Sequence, residues 1–502
     1  MKGNILCLLA LTFTIPMVLY LFSKLPPYKA AAIALLGSLL FLPMDKLAVP
    51  IILYDKVTAT GIGLIMGMVA MDGERLAQYP WSIMDLPLFL WLLSGFLASV
   101  TNGLGAKDGI QEAFNAFSIW GAPFMAGRLY FSSSKAQSWL CGLFFLSGLV
   151  YIPFVAFELV MSPQAHRIVY GYMQHDFSQV IRGGGYRPMV FMQHGILLGT
   201  FMCMSALVGI WCTWTKVFPQ KMWRAGGPMW GWALMLAGSA VACKSSAAIG
   251  LMVMGGFLLF SAVILRTRIL IVCLFLVPLL YVTTRTSGTW DGQNLVDFVA
   301  EKFSEDRSLS LKFRLDNELI LIDKAMERPI FGWGGWGRSR VFDEETGEDL
   351  STTDGFWIIT LGRWGILGLS SVFALILLPT VRFLILFPPR RWKDPEVAPG
   401  AVLALIPLLF IVDCTLNAMV NPAYILFAGG VAGLPRTSRG AIKQPSADHG
   451  NTQQAGKRSV NFADWGINTL PKSRRPRLTI SANYSGPRFD ISSKDQDSIK
   501  FH

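Results

Sequence analysis

Apolar runs of roughly 15 to 25 residues recur along this chain from the N-terminus to Leu434, and nothing else in it constrains the fold as much. Each is long enough to cross a hydrocarbon core of about 30 Å as a helix. A soluble fold does not need so many, and a transmembrane β-barrel would show short alternating strands instead. The expectation is an all-α chain, a polytopic helical membrane protein. Candidate spans are 4–22, 29–43, 57–71, 83–101, 110–128, 138–161, 189–215, 228–243, 246–265, 269–284, 353–379, 401–417 and 419–434. Merging one short, proline-interrupted candidate between 29 and 71 with its neighbour, or making it re-entrant, gives about 12 transmembrane helices and a consistent charge orientation.

That orientation comes from the basic residues. A net charge of +12 would suit nucleic acid, but the positive residues sit mainly in short connections and in the tail, where cytoplasmic retention accounts for them. No nucleic-acid partner is therefore expected. The connections Arg128/Lys135, Lys216/Lys221/Arg224, Arg266/Arg268 and Arg382/Arg390/Arg391/Lys393 are placed inside. The segments 162–188 and 285–352 then fall outside, on the periplasmic face. The first run, Ile5 to Phe22, has no clear small-residue cleavage site and reads as a retained helix. Residues 1–434 form the polytopic domain, and 435–502 read as a disordered basic cytoplasmic tail, too poor in apolar residues to bury a core. Seven cysteines lie in or beside apolar runs, without a CxxC or histidines at ligand spacing. They read as small buried residues, and neither a metal nor a cofactor is expected.

The two outside segments carry the chemistry. The first ends in VIRGGGYRP and leads into MVFMQHGILLGTFM. Arg182, Arg187 and His194 cluster there beside Gly183, Gly184 and Gly185. Arginine presents a rigid fork of donors suited to phosphate, the alternative being a side chain that snorkels to lipid headgroups. His194, about two turns into the following helix from Arg187, is costly there unless it faces the protein interior or water.

In the second segment Leu311, Leu315, Leu319, Ile322 and Met326 form one apolar stripe at helical spacing. This predicts an amphipathic helix that lies along the membrane surface or caps the bundle. Arg314 and Glu318 stand at i,i+4, so Arg314 is either half of a helix ion pair or a phosphate ligand. Pro329 ends the helix. FGWGGWG follows, too glycine-rich for helix and without the lysine of a P-loop, and reads as a turn packed on helix ends. Asp354 sits at the mouth of the 353–379 helix, as a carboxylate favoured by the helix dipole or as a base. Arg363 lies deeper in that helix, where an arginine is functional or paired, with Glu158 and Asp413 as candidate partners.

Three landmarks in these residues resemble the O-antigen ligase/polymerase-like family of bacterial membrane glycan transferases. One is an arginine before a helix with a histidine seven residues on, RPMVFMQHG. Another is the small/serine element CKSSAAIGL. The third is FRLDNELILIDKAMERPIFGWG followed, after an outside loop, by DGFWIITLGRWGILGL. The sequence departs from the family pattern at Asp354, where its ligases usually carry histidine, at Gly355 in place of a frequent asparagine, and at Ser246 in place of an arginine, with Lys244 close by.

The resemblance implies transfer or polymerisation of a polyprenyl-pyrophosphate-linked oligosaccharide at the outer face of the inner membrane, metal-independent and inverting. The acceptor would be a saccharide or a lipid core. Partners would include membrane lipids and other polysaccharide-assembly proteins. Asp354 would orient or deprotonate the acceptor hydroxyl, with His194 as second choice. Arg187 and Arg314 would hold phosphate, and Arg182, Lys244, Arg363 and Trp333 would contact substrate. The competing class is a transporter or flippase of a glycolipid or polysaccharide, which would line several helices with charge.

Overall fold

The computed structural model describes residues 3–49, 52–182, 184–222, 226–302 and 305–435. Gly183, Arg224 and the tail from residue 436 lie outside the described residues. The described chain is a bundle of helices, with two short antiparallel pairs as its only named sheets: Lys46–Val49 (β1) with Ile52–Asp55 (β2), and Ile181–Arg182 (β3) with Gly185–Tyr186 (β4).

The first half comprises α1 (Ile5–Thr12), α2 (Thr14–Lys24), α3 (Pro27–Phe41), α4 (Lys56–Ala77), α5 (Leu86–Thr101), α6 (Ala106–Ala116), α7 (Ala122–Tyr130), α8 (Ser134–Met161) and α9 (Ala165–Tyr170). The second comprises α10 (Gly195–Trp214), α11 (Met229–Ala242), α12 (Ser246–Ile264), α13 (Ile269–Thr286), α14 (Gln293–Lys302), α15 (Glu305–Met326), α16 (Phe356–Leu386), α17 (Ala398–Asp413) and α18 (Pro422–Ala432).

Among the described residues, 6 helices are long and apolar enough to cross a membrane: Ile83–Thr101, α8, α10, α12, α13 and α16. The pair α1 and α2, bent by 46°, makes a seventh if it counts as one span. α3, α11, α17 and α18 are apolar but shorter. Several expected spans differ from their sequence reading: 4–22 is bent between α1 and α2, 57–71 lies in α4, which belongs to neither group, and 353–379 is broken within α16. The run 110–128 is divided into α6, a π turn at Phe117–Gly121 and α7, with Pro123 in the first turn of α7. The run 189–215 becomes helical only at Gly195, after a left-handed backbone at Val190 (φ 52°), and the amides of Met189 and Val190 donate to the Glu158 carboxylate at 2.8 Å each.

Glu158 is a central fixture of the segment 162–194. It is buried near the end of α8 and also accepts from the Ala165 amide at 3.0 Å. One carboxylate thus ties the start of α9 to the irregular segment after β4. Lys56 works in the same region with the opposite sign, donating to the carbonyls of Leu39, Leu42 and Phe191 at 3.2, 3.2 and 2.8 Å.

The two halves of the chain meet where α7 packs on α18. Gly127 and Gly429 bring their backbones so close that a Cβ on Gly127 would stand 2.9 Å from the Gly429 Cα, the small-residue contact that lets apolar helices pack without side chains between them. At the same junction the buried Arg128 pairs with Asp85 at 3.0 Å and donates to the Ala432 carbonyl at 2.7 Å.

α16 is broken at Gly365, whose φ of 65° and ψ of −166° lie in a region open essentially only to glycine. The turn FGWGGWG fills the break. The amides of Ile366 and Leu367 donate to Pro329 and Ile330, and those of Trp333 and Gly334 donate to Gly362 and Arg363 at 2.9 Å each. A Cβ on Gly365 would run into the Ile330 carbonyl. Gly365→Ala is therefore expected to lower the melting temperature of the purified protein, the strained backbone costing about 1–3 kcal/mol of stability. Gly238→Ala, with open space around its Cβ, should melt like the parent. Equal melting of the two variants would mean that the break is not a required feature.

Candidate functional site

α15 forms as its periodicity predicts, but it buries a different face. Leu315 and Ile322 are buried as expected, while Leu319 and Met326 are 38% and 37% exposed. Glu318, Leu321 and Ala325 take the vacant places in the seam. A carboxylate is tolerated there because three donors converge on it: Tyr281 Oη at 2.7 Å, Trp357 Nε1 at 3.2 Å and Arg285 Nε at 3.3 Å. Burial pushes the Glu318 carboxyl above its ordinary range, opposed by these hydrogen bonds and by the Arg285 charge.

Because Glu318 is committed to Arg285, the i,i+4 pair expected with Arg314 does not form. Arg314 instead reaches Asp354, Nε to Oδ2 at 3.3 Å, with side-chain exposures of 30% and 39%. Asp354 is held at this spot by its neighbours. The Thr352 amide donates to Asn317 Oδ1 at 2.8 Å, and the Phe356 amide donates to the carbonyls of Cys414 and Asn417 at 3.1 and 3.0 Å. The N-cap of α16 is Gly355, and no side chain caps the helix. Asp354 is thus the partner of Arg314 rather than a cap. The α17–α18 turn is the floor beneath the pair, with Arg314 Nη1 3.5 Å from the Leu416 carbonyl.

A second group gathers at the start of α10. Arg187 is 6% exposed and donates from Nη2 to Ser245 Oγ at 3.3 Å, linking the RPMVFMQHG segment to the CKSSAAIGL segment. Its side chain lies across Gly195, where a Cβ would meet Nε at 2.7 Å. Lys244 adopts a left-handed backbone, φ 53°, in the joint between α11 and α12, and its ammonium stands against Gly185. His194 is not two turns into the helix. It is the N-cap of α10, its Nδ1 accepting from the Ile196 amide at 3.0 Å, and its ring lies 4.7 Å from that of His175. The late helix start explains the shift. Arg182 belongs to β3, and its side chain lies outside the described residues.

Arg363 and Trp333 belong to a third place, the break in α16. Neither Glu158 nor Asp413 partners Arg363. Glu112 does, with both carboxylate oxygens at 3.2 Å from Nη2, while Nε donates to the Gly335 carbonyl at 3.0 Å. Trp333 donates from Nε1 to the Lys324 carbonyl at 2.7 Å, and the Lys324 and Arg328 cations stand 4.1 and 4.6 Å from its ring centroid.

Sequence reasoning missed Glu112, Arg285, Asn317, Glu318 as a buried anchor, and the carbonyls of 414–417. Glu112 had a legible sign, an acid within an apolar run. The carbonyls had none.

An apolar groove of about 460 Å³ runs between α13 and α16, lined by Phe275, Leu279, Val282, Ile366, Phe373 and Leu377 among others. Among the described residues no three His, Cys, Asp or Glu side chains converge as a metal site would need. No protein-family model matches the chain, and no curated protein is similar enough to it to count as a match.

Proposed function

We propose that this chain transfers or polymerises a polyprenyl-pyrophosphate-linked oligosaccharide, with segments 162–188 and 285–352 on the outer, periplasmic face of a bacterial inner membrane. The observation that carries the reading is the pairing of Arg314 with Asp354 at 3.3 Å across 40 residues of sequence, half-exposed at the mouth of a broken apolar helix. A carboxylate held by an arginine and open to water is suited to receive or orient a hydroxyl proton. Arg187 and Lys244, drawn together at the start of α10, supply cations for a departing pyrophosphate. The groove between α13 and α16 offers an isoprenoid tail an apolar bed. In this reading the chain crosses the membrane about 12 times, its shorter apolar helices included, with a cytoplasmic tail. The displacement inverts the anomeric carbon and uses no metal, because arginine and lysine take up the developing charge. Acceptors are a second lipid-linked repeat, a saccharide or a lipid core, and other polysaccharide-assembly proteins are expected partners.

The test uses purified protein in lipid with an undecaprenyl-pyrophosphate-linked oligosaccharide, with and without acceptors, the products being resolved by mass. Chains of multiplied length without an added acceptor indicate a polymerase, and transfer only to an added acceptor indicates a ligase. Arg187→Ala is expected to slow either by about 10²–10³-fold, the usual cost of one donor to developing charge. Donor left intact with every acceptor would discard the transferase reading and favour transport of a glycolipid.

A further inference from the structure

A cleft of about 670 Å³ opens between the C-terminal half of α15 and the chain from Trp333 to Glu344. That volume falls within the ~300–1,000 Å³ of small-molecule sites. Its charged lining is balanced: three cations, Lys324, Arg338 and Arg340, face three acids, Asp323, Glu327 and Glu344. Two of the cations are paired with acids, Lys324 with Glu327 at 2.9 Å and Arg340 with Asp349, and Arg338 donates to the Asn102 carbonyl at 3.5 Å. A phosphate or uronate site needs an excess of positive charge. Balanced donors and acceptors without a net field suit hydroxyl groups instead.

Aromatic rings complete the lining. Phe342 is 49% exposed on the cleft wall. Trp336, 72% exposed, stands outside the lining at its rim, its ring 5.9 Å from the Arg340 guanidinium of the cleft and 5.4 Å from that of Arg363. Trp333, held by its hydrogen bond to the Lys324 carbonyl, also lines the cleft. Exposed rings on a glycine-rich turn are costly unless something covers them, and the C–H face of a pyranose is an amphipathic match for such rings. The cleft also leads somewhere. Arg340 Nη2 lies 3.4 Å from Thr353 Oγ1, on the residue next to Asp354.

We propose that this cleft binds an uncharged oligosaccharide laid along α15, with one hydroxyl directed to Asp354. The role of that hydroxyl rests on the transferase reading. The saccharide binding does not.

The experiment titrates full-length protein in lipid nanodiscs and reads tryptophan fluorescence. The probes are lipid-free, phosphate-free saccharides released by mild acid from the cell's own polyprenyl-linked glycans and separated into neutral and acidic fractions. The neutral fraction is expected to give a saturable change. The affinity should fall about tenfold or more in Phe342→Ala and in Trp336→Ala, equivalent to about 1.4 kcal/mol. Gly238→Ala, with open space around its Cβ, should bind the saccharide as the parent does. No saturable binding of the neutral fraction, binding of the acidic fraction alone, or parent-like affinity in both aromatic variants would each overturn the proposal. Binding retained in a protein that transfers nothing would remove the transferase reading and leave the cleft assigned.

Discussion

Glu158→Ala is expected to leave little folded protein to recover. Its carboxylate satisfies the amides of Ala165, Met189 and Val190, all at 3.0 Å or less and all buried. A buried donor without a partner costs about 1–3 kcal/mol. Three orphaned together approach the about 5–15 kcal/mol that holds a typical domain folded. The loss should appear as a collapse of the monodisperse peak in detergent rather than as a small shift in melting. Glu158→Gln tests the mechanism. An amide oxygen in the place of Oε2 keeps Met189 and Val190 but turns an NH₂ toward the Ala165 amide. It should therefore fold, at reduced stability. If alanine folds as well as glutamine does, the three hydrogen bonds do not anchor the 162–194 segment.

The second large effect is on activity, with stability spared. Asp354→Asn removes the group assigned to receive the acceptor proton and should lower transfer by about 10²–10⁴-fold. Arg314→Ala should lower it too, because the carboxylate loses the partner that aims it. The melting temperature of both should stay near that of the parent, since a pair exposed by 30% and 39% contributes about 0–1 kcal/mol to folding. This split between activity and stability separates a working pair from a surface ion pair. Full product from Asp354→Asn at parental protein levels would remove Asp354 from the chemistry.

Arg314 also marks the limit of what the sequence made legible. Helical spacing places Glu318 next to it, and helical spacing is what the chain adopts. Spacing cannot know that Tyr281, Arg285 and Trp357, each on another helix, compete for that carboxylate and win it by burial. Freed of its local neighbour, Arg314 pairs across the loop. The same limit explains the face of α15, where an acid replaces leucine in the seam.

Helix existence was easier to read, because hydropathy acts locally. The runs at 246–265 and 269–284 appear as Ser246–Ile264 and Ile269–Thr286. Helix starts were harder where the backbone leaves the helical region ahead of an apolar run, as Val190 at φ 52° does ahead of Gly195. The FGWGGWG turn was recognisable as a turn packed on helix ends. Its target, the break at Gly365, was not, since the sequence there reads as uninterrupted apolar helix.

The junction of α7 with α18 bears on how the chain is made. Arg128 donates to the Ala432 carbonyl, 304 residues later in the sequence. At about 5–20 residues per second, a ribosome needs roughly 15 to 60 s to bridge that interval. Throughout it α7 waits in the nascent protein with its glycine face uncovered and a guanidinium without its final acceptor. Asp85, already synthesised, is the counter-ion that makes the wait tolerable. Assembly of this bundle therefore closes late, when the last apolar helix meets one of the early ones, and a chain cut short before Pro422 would remain open at that seam however well its other helices had inserted.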